Sequence, residues 1–244
     1  MITQTQGQIY LAAQRGVSQL SWFRSFHTFN FGSYQEEFRA PFGNLQVLND
    51  DTLAAGKSFI MKLEQNTEVI LIPVVGAVEF HNSLGGTGIL EAGQVQIFSA
   101  KKSMDYEITN PYDTELVNFI QIWLKNNNQD FVSGNQDGGI NLEQRNQLSP
   151  IFSPKIEGLK IQQEAHGYIG KYAGREEGIY TLKNPENGIF VFIIEGAFEV
   201  QNRLMEARDG LSLWHLEELE FEALSNDAII LIIELGFDNR DPFR

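Results

Sequence analysis

The sequence predicts an all-β protein of two tandem β-sandwich or barrel domains, and three observations carry the prediction. Most of the chain reads as short apolar or alternating runs of about four to eight residues, separated by Gly, Asn, Asp and Pro clusters. Helical periodicity is scarce. A spaced internal repeat divides the whole into two copies of one β-unit.

The runs that read as strands are Ser58 to Leu63, Glu68 to Pro73, Gly76 to His81, Gln94 to Ser99, Glu115 to Leu124, Gly188 to Ile194, Ala197 to Gln201 and Ala228 to Leu235. Their β-branched and aromatic content, as in Phe190-Val191-Phe192-Ile193-Ile194, favours strand over buried helix. Gly85-Gly86-Thr87-Gly88 follows a strand without opening a helix, so it reads as a hairpin turn and not a phosphate loop.

Val74-Val75-Gly76-Ala77-Val78-Glu79 is answered about 120 residues later by Ile193-Ile194-Glu195-Gly196-Ala197-Phe198-Glu199. Each is followed by a similar turn, Leu90-Glu91-Ala92-Gly93 in one copy and Met205-Glu206-Ala207-Arg208-Asp209-Gly210 in the other. A glycine between two apolar strands suits a tight hairpin, which is the arrangement expected at Gly76 and at Gly196. The division that follows is an N-terminal domain over residues 1–125, a polar connection over 126–155 and a C-terminal domain over 156–244. Ile140, Leu142, Leu148, Ile151 and Phe152 interrupt the connection, so it is expected to pack along the surface, with room for a short helix or two.

Acidic side chains outnumber basic ones 32 to 18, giving a formal charge of −14 in a chain of 244 residues. Such a charge repels phosphate backbones and anionic headgroups, so neither nucleic acid nor membrane is an expected partner. There is no cysteine, which removes disulfides, thiolate metal sites and thiol nucleophiles together. No stretch reaches the length of a membrane span and no leader pattern opens the chain, so the expected location is the cytoplasm. The four histidines, His27, His81, His166 and His215, show none of the close spacings that place two metal ligands on one element.

The string from Arg15-Gly16 through Trp22-Phe23-Arg24-Ser25-Phe26-His27-Thr28-Phe29-Asn30-Phe31-Gly32-Ser33-Tyr34 resembles the opening signature of the pirin family. Phe42-Gly43-Asn44-Leu45-Gln46-Val47-Leu48-Asn49-Asp50-Asp51 resembles the next block, and Glu79-Phe80-His81-Asn82-Ser83-Leu84-Gly85 the one after it. The likeness runs from about Arg15 to Asn110, while the C-terminal half is similar only in its strand and turn pattern. What the resemblance implies is a bicupin, two cupin barrels of which the first holds iron or another transition metal through a His-x-His pair, a third histidine and a glutamate. It also implies either quercetin-cleaving dioxygenase activity or a regulatory role.

Laid on this chain, the His-x-His positions fall at Lys62 and Glu64, and the third and fourth at Tyr106 and Ile108. A tyrosine is a poor ligand for a divalent ion at neutral pH, isoleucine is none, and an ammonium repels a cation. A one-residue shift offers Asp105 or Glu107 but no imidazole. No cofactor is therefore expected.

Two orientations stay open for the His-x-His segment. Alternation places Phe59, Met61 and Leu63 on the core face with Lys62 and Glu64 toward solvent. The family register places 62 and 64 inside, where Lys62 would need Glu64 or Tyr106 to offset its burial. Lys62, Glu64 and Tyr106 are the ligand-pocket candidates, with no residue assigned a catalytic role. The reading is a non-catalytic protein that binds a small ligand or acts through protein contacts, as a monomer or homodimer. The alternative is an enzyme, either quercetin-2,3-dioxygenase-like or metal-free with Lys62 as base or Schiff-base amine and Tyr106 as proton relay.

Overall fold

A computed structural model describes residues 4–155 and 158–236. Apart from a single 3-10 turn at Ala12–Gln14, the regular structure among these residues is all β. The chain forms two compact units, one combining Gly16–Ile140 with Leu159–Gln163, the other combining the described parts of Met1–Arg15, Asn141–Gly158 and Glu164–Arg244.

Each unit is a sandwich of a large and a small antiparallel sheet. In the first, the large sheet runs in the order Gly134–Gly139, Gln94–Ala100, Thr67–Val75, Val117–Lys125, Leu45–Leu53, Phe23–His27 and Gly16–Gln19. The small one runs Ser58–Lys62, Asp105–Thr109, Ala77–Asn82 and Thr87–Glu91. The last two pair as a hairpin across the turn that contains Gly85 and Gly86. In the second unit, Gly7–Tyr10, Gly210–Leu213, Gly188–Glu195, Ala228–Leu235, Ala165–Tyr172 and Leu148–Ser153 follow one another in the large sheet. Glu177–Thr181, Glu218–Ala223, Phe198–Val200 and Arg203–Met205 make the small one.

The two compact units depart from the domain limits read from the sequence at the N-terminus and in the connection. Gly7–Tyr10 pairs with Gly210–Leu213 and so belongs with the C-terminal half. Four residues with one alternation carry no signal of their partner, yet they cover backbone donors and acceptors of Gly210–Leu213 that would otherwise face an open edge. The connection is not merely a surface strap. Its Gly134–Gly139 segment adds to Gln94–Ala100, and its Leu148–Ser153 segment adds to Ala165–Tyr172. The limit set at residue 156 falls outside the described residues.

The repeat glycines are not hairpin turns either. Thr67–Val75 lies in the large sheet of its unit and Ala77–Asn82 in the small one, so the chain crosses between sheets at Gly76. Gly188–Glu195 and Phe198–Val200 do the same at Gly196. Just before each glycine the register against the neighbouring strand slips, between Asn118 and Phe119 in one unit and between Ile193 and Glu195 in the other. A bulge bends the strand, and a left-handed residue then turns the corner, with φ of 78° at Gly76 and 77° at Gly196.

At Gly196 a Cβ would stand 2.4 Å from Ser225 Oγ and 2.8 Å from Ala228 Cβ, whereas at Gly56, with φ of 62°, nothing lies within 4 Å. Gly196→Ala is therefore expected to cost about 2 to 4 kcal/mol, the left-handed penalty plus overpacking, and Gly56→Ala only about 1 to 2. Urea unfolding of the two variants measures the difference; equal costs would mean that the corner is slack.

Candidate functional site

The first barrel has an inner face set by strict alternation. Leu53, Val69, Leu71, Val78, Phe80, Ile108, Val117 and Phe119 fill much of it, with Phe59 and Met61 packed against them. Polar residues occupy the same inward parity on three neighbouring strands: Ser25 and His27, Asn49 and Asp51, and Gln121. All five are buried. Such groups are costly to bury unless paired, so their partners define what the barrel centre can do.

The partners form one line. The Tyr106 hydroxyl donates to Gln121 Oε1, and Trp123 Nε1–H donates to the Tyr106 oxygen at 2.9 Å. Gln121 Nε2–H donates to Asp51 Oδ2 at 2.9 Å. Tyr106 stands on the small sheet while Gln121 and Trp123 stand on the large one, so these bonds cross the sandwich. Beside Asp51, His27 Nδ1 lies 3.0 Å from Asn49 Oδ1 and its Nε2 lies 2.8 Å from Ser18 Oγ. Asp51 Oδ1 and Asn49 Nδ2, though buried, meet no hydrogen-bonding group of the protein.

Burial pushes the Asp51 carboxyl up to about 7, against the hydrogen bonds of Ser25 and Gln121 and with help from the charge of Asp50. Burial also pushes the Tyr106 phenol well above its ordinary range, so it is a neutral hydroxyl at any physiological pH. Glu68, fully buried, is raised by burial as well, although Gln162 N at 2.7 Å and Gln163 Nε2 at 2.7 Å donate to it.

The family register for Lys62 and Glu64 is corrected. Met61 is the residue opposite Tyr106 and Phe59 the one opposite Ile108, while Lys62 is opposite Asp105. Directly paired residues share a face, so Phe59 and Met61 point inward and Lys62 is exposed, as is Glu64. Desolvating an ammonium and a carboxylate costs several kcal/mol, whereas turning Phe59, Met61 and Leu63 inward gains apolar burial. As exposed groups, Lys62 and Glu64 contribute at most about 1 kcal/mol to each other. The three candidates thus do not converge on one buried point: Tyr106 is 3% exposed inside the barrel, and the other two stand outside it.

Lys62 and Glu64 do meet at the rim of a cleft of about 600 Å³ whose wall includes Phe31, Met61 and Trp123. That volume is in the range of small-molecule sites. Phe31 sits on a loop held by Asn30, whose side chain donates to Glu36 O at 3.0 Å and accepts from Glu36 N at 2.8 Å. Its ring meets Trp123 edge-on, 5.7 Å between centroids and 78° between planes. Trp123 is therefore shared: its ring walls the cleft and its N–H holds Tyr106. Asp51, Gln121, Trp123 and Phe31 were not among the sequence candidates. The available signal was Gln121 within the apolar run Phe119 to Leu124.

The second barrel carries a smaller cleft, about 230 Å³, whose wall includes Glu177, Glu199, Glu220 and Phe221. Tyr172, Phe198 and Phe221 pack edge-on in its core. Its buried Glu234 accepts from Tyr180 Oη at 2.5 Å, Asn187 Nδ2 at 2.6 Å, Lys183 N at 2.9 Å and Asn184 N at 3.1 Å. Those bonds fasten the turn between Glu177–Thr181 and Gly188–Glu195.

Two sandwiches of this topology in one chain define a bicupin. Residues 10–124 match the family profile described as Pirin, and residues 151–235 match the one described as Quercetinase C-terminal cupin domain. Each half of the chain is thus similar to a cupin domain of the pirin and quercetinase type. It is 26% identical over 227 residues to quercetin 2,3-dioxygenase of Escherichia coli, covering 91% of this chain and 97% of that one. It is 25% identical over 226 residues to a pirin-like protein of Caulobacter vibrioides, covering 89% and 94%. Among solved structures it is similar to YhhW of Escherichia coli, with a TM-score of 0.87 at 23% identity over 97% of this chain and 100% of that one. The nickel(II) complex of the same bacterial pirin matches with a TM-score of 0.86.

The metal that this family implies does not fit the residues present. Ile108 has no donor atom, the Tyr106 oxygen is engaged by Trp123 and Gln121, and Lys62 and Glu64 face out of the barrel. Among the described residues no group of three or more His, Asp or Glu could hold a metal ion.

The buried Asp51 makes a signed prediction. Its folded value, about 7, lies above its ordinary 3.8, so its contribution is fully present below about pH 4 and is lost as pH rises toward 7. Asp51→Asn, which cannot ionise, is expected to improve in stability relative to the parent by about 2 to 3 kcal/mol between pH 5 and pH 8. Chemical unfolding of both proteins at the two pH values gives the number, and a pH-independent difference would show that Asp51 does not carry the effect.

Proposed function

We propose that this pirin-like bicupin binds a small molecule in the Phe31–Trp123 cleft without metal chemistry, and that it acts as a binding or regulatory protein and not as a dioxygenase. The observation that carries the reading is the engagement of the Tyr106 hydroxyl by Trp123 and Gln121 at the position where relatives are expected to offer a ligand. A hydroxyl that already donates one hydrogen bond and accepts another is a poor ligand for a Lewis-acidic metal ion. The cleft supplies an aromatic wall for stacking, with Lys62 and Glu64 at its rim as orienting charges.

A dioxygenase reading is favoured by the names of several relatives and by the description of the C-terminal profile. The metal-free alternative, with Lys62 as base and Tyr106 as relay, is weakened by the distribution of the two groups, one exposed and the other buried. No helix among the described residues is long and apolar enough to cross a membrane, and we place the protein's action in the cytoplasm as a monomer or homodimer.

Elemental analysis and a flavonol assay together decide the matter. After incubation with iron(II), nickel(II) or copper(II) and removal of excess metal, the protein is expected to retain well under one equivalent and to consume quercetin no faster than free metal does. Small molecules that raise its melting temperature in a metabolite screen are expected to lose that effect in Trp123→Ala. Stoichiometric metal with turnover, or stabilising ligands indifferent to Trp123, would contradict the proposal.

A further inference from the structure

The line from Asp51 to Trp123 joins a buried acid to the wall of the cleft through a single carboxamide, and a primary amide has a donor end and an acceptor end. When Asp51 is ionised, Gln121 must aim Nε2–H at Oδ2, which leaves Oε1 to accept the Tyr106 hydroxyl. Trp123 Nε1 then lies 3.4 Å from that same Oε1 and 2.9 Å from the Tyr106 oxygen, so its N–H faces two acceptors. Oδ1 meets no hydrogen-bonding group of the protein, so a proton there would be a buried donor without an acceptor; carried on Oδ2 instead, it sets donor against donor with Gln121. Half a turn of the amide removes that conflict: Oε1 now accepts from the acid, and the NH₂ group faces Tyr106 and Trp123. The Tyr106 hydroxyl hydrogen must then swing away, and the indole N–H meets another N–H where it had met an oxygen.

We propose that Asp51 is a proton switch for the cleft, its protonation reversing the Gln121 amide and displacing Trp123 from its present place in the cleft wall. The two arrangements are discrete, because each satisfies the amide and intermediate rotations satisfy neither. Burial places the titration of Asp51 near neutrality, so both states are populated under ordinary conditions. The neighbouring ionisable groups are Asp50 on the same strand, His27 on the Phe23–His27 strand and Tyr106 on the Asp105–Thr109 strand. His27 is linked through Ser25, whose hydroxyl lies 3.3 Å from its Nδ1 and also bonds Asp51. Asp50 is engaged by Asn118 at 2.7 Å, and the Arg24 guanidinium lies over Phe26, 5.2 Å from the ring centre.

The switch rests on the cleft being the ligand site, but it is measured without a ligand. In a Trp22→Phe, Trp214→Phe background only Trp123 emits, and its fluorescence is recorded from about pH 5 to about pH 9. The expected result is a one-proton transition near pH 7, the ratio of the two states changing tenfold per pH unit, absent from Asp51→Asn and from Tyr106→Phe. The infrared carbonyl stretch of the protonated acid should vanish over the same range in the parent protein, which needs no substitution at Asp51. A transition that survives Asp51→Asn would overturn the proposal by assigning it to another group. So would a carboxyl band that titrates while Trp123 emission stays flat, and that outcome would leave ligand binding at Trp123 untouched.

Discussion

The hydroxyl of Tyr106, held between an indole N–H and a carboxamide oxygen, is the contact on which the rest of the first barrel depends. It joins the small sheet to the large one at the barrel centre. A metal held by ligands from both sheets would do the same cross-linking work. Here neutral hydrogen bonds do it, and their loss is costly because Tyr106 and Gln121 are buried and cannot turn to water instead. Removing any member strands another, which is why Tyr106, Trp123, Gln121 and Asp51 have to be considered as one unit.

That unit also explains why the cleft and the core cannot be separated. Trp123 presents its ring to the cleft and its N–H to Tyr106, so anything that rearranges the barrel centre is felt at the wall. The second barrel uses buried polarity differently. Glu234 there is satisfied by four donors and fastens a turn. Two copies of one β-architecture thus put buried carboxyl groups to different uses: Asp51 has an oxygen without a protein partner, and Glu234 is fully engaged.

The fold was legible to a large extent because its signals are local. The run Phe190 to Ile194 is strand by composition, and the alternation of Phe59, Met61 and Leu63 with Lys62 and Glu64 supplied one of the two orientations left open, the one that the register against Asp105–Thr109 selects. Gly76 and Gly196 were visible, yet a lone glycine between apolar strands reads the same for a hairpin as for a corner. Only the bulge in the neighbouring register distinguishes them. The barrel centre was hardly legible at all. Asp51 and Gln121 are 70 residues apart, and their bond exists because the order of strands sets Leu45–Leu53 beside Val117–Lys125. Trp123 was marked only by its place in the run Glu115 to Leu124, since nothing in a sequence says that one indole will serve two environments.

The account stands on Tyr106 being a hydrogen-bonded phenol and not a ligand, and anomalous scattering from crystals grown with excess nickel(II) addresses that directly. It predicts no anomalous peak inside the first barrel, with the Tyr106 oxygen within hydrogen-bond distance of Trp123 Nε1 and Gln121. A peak at about 2.0 to 2.3 Å from the Tyr106 oxygen, the distance of a coordinate bond, would contradict it.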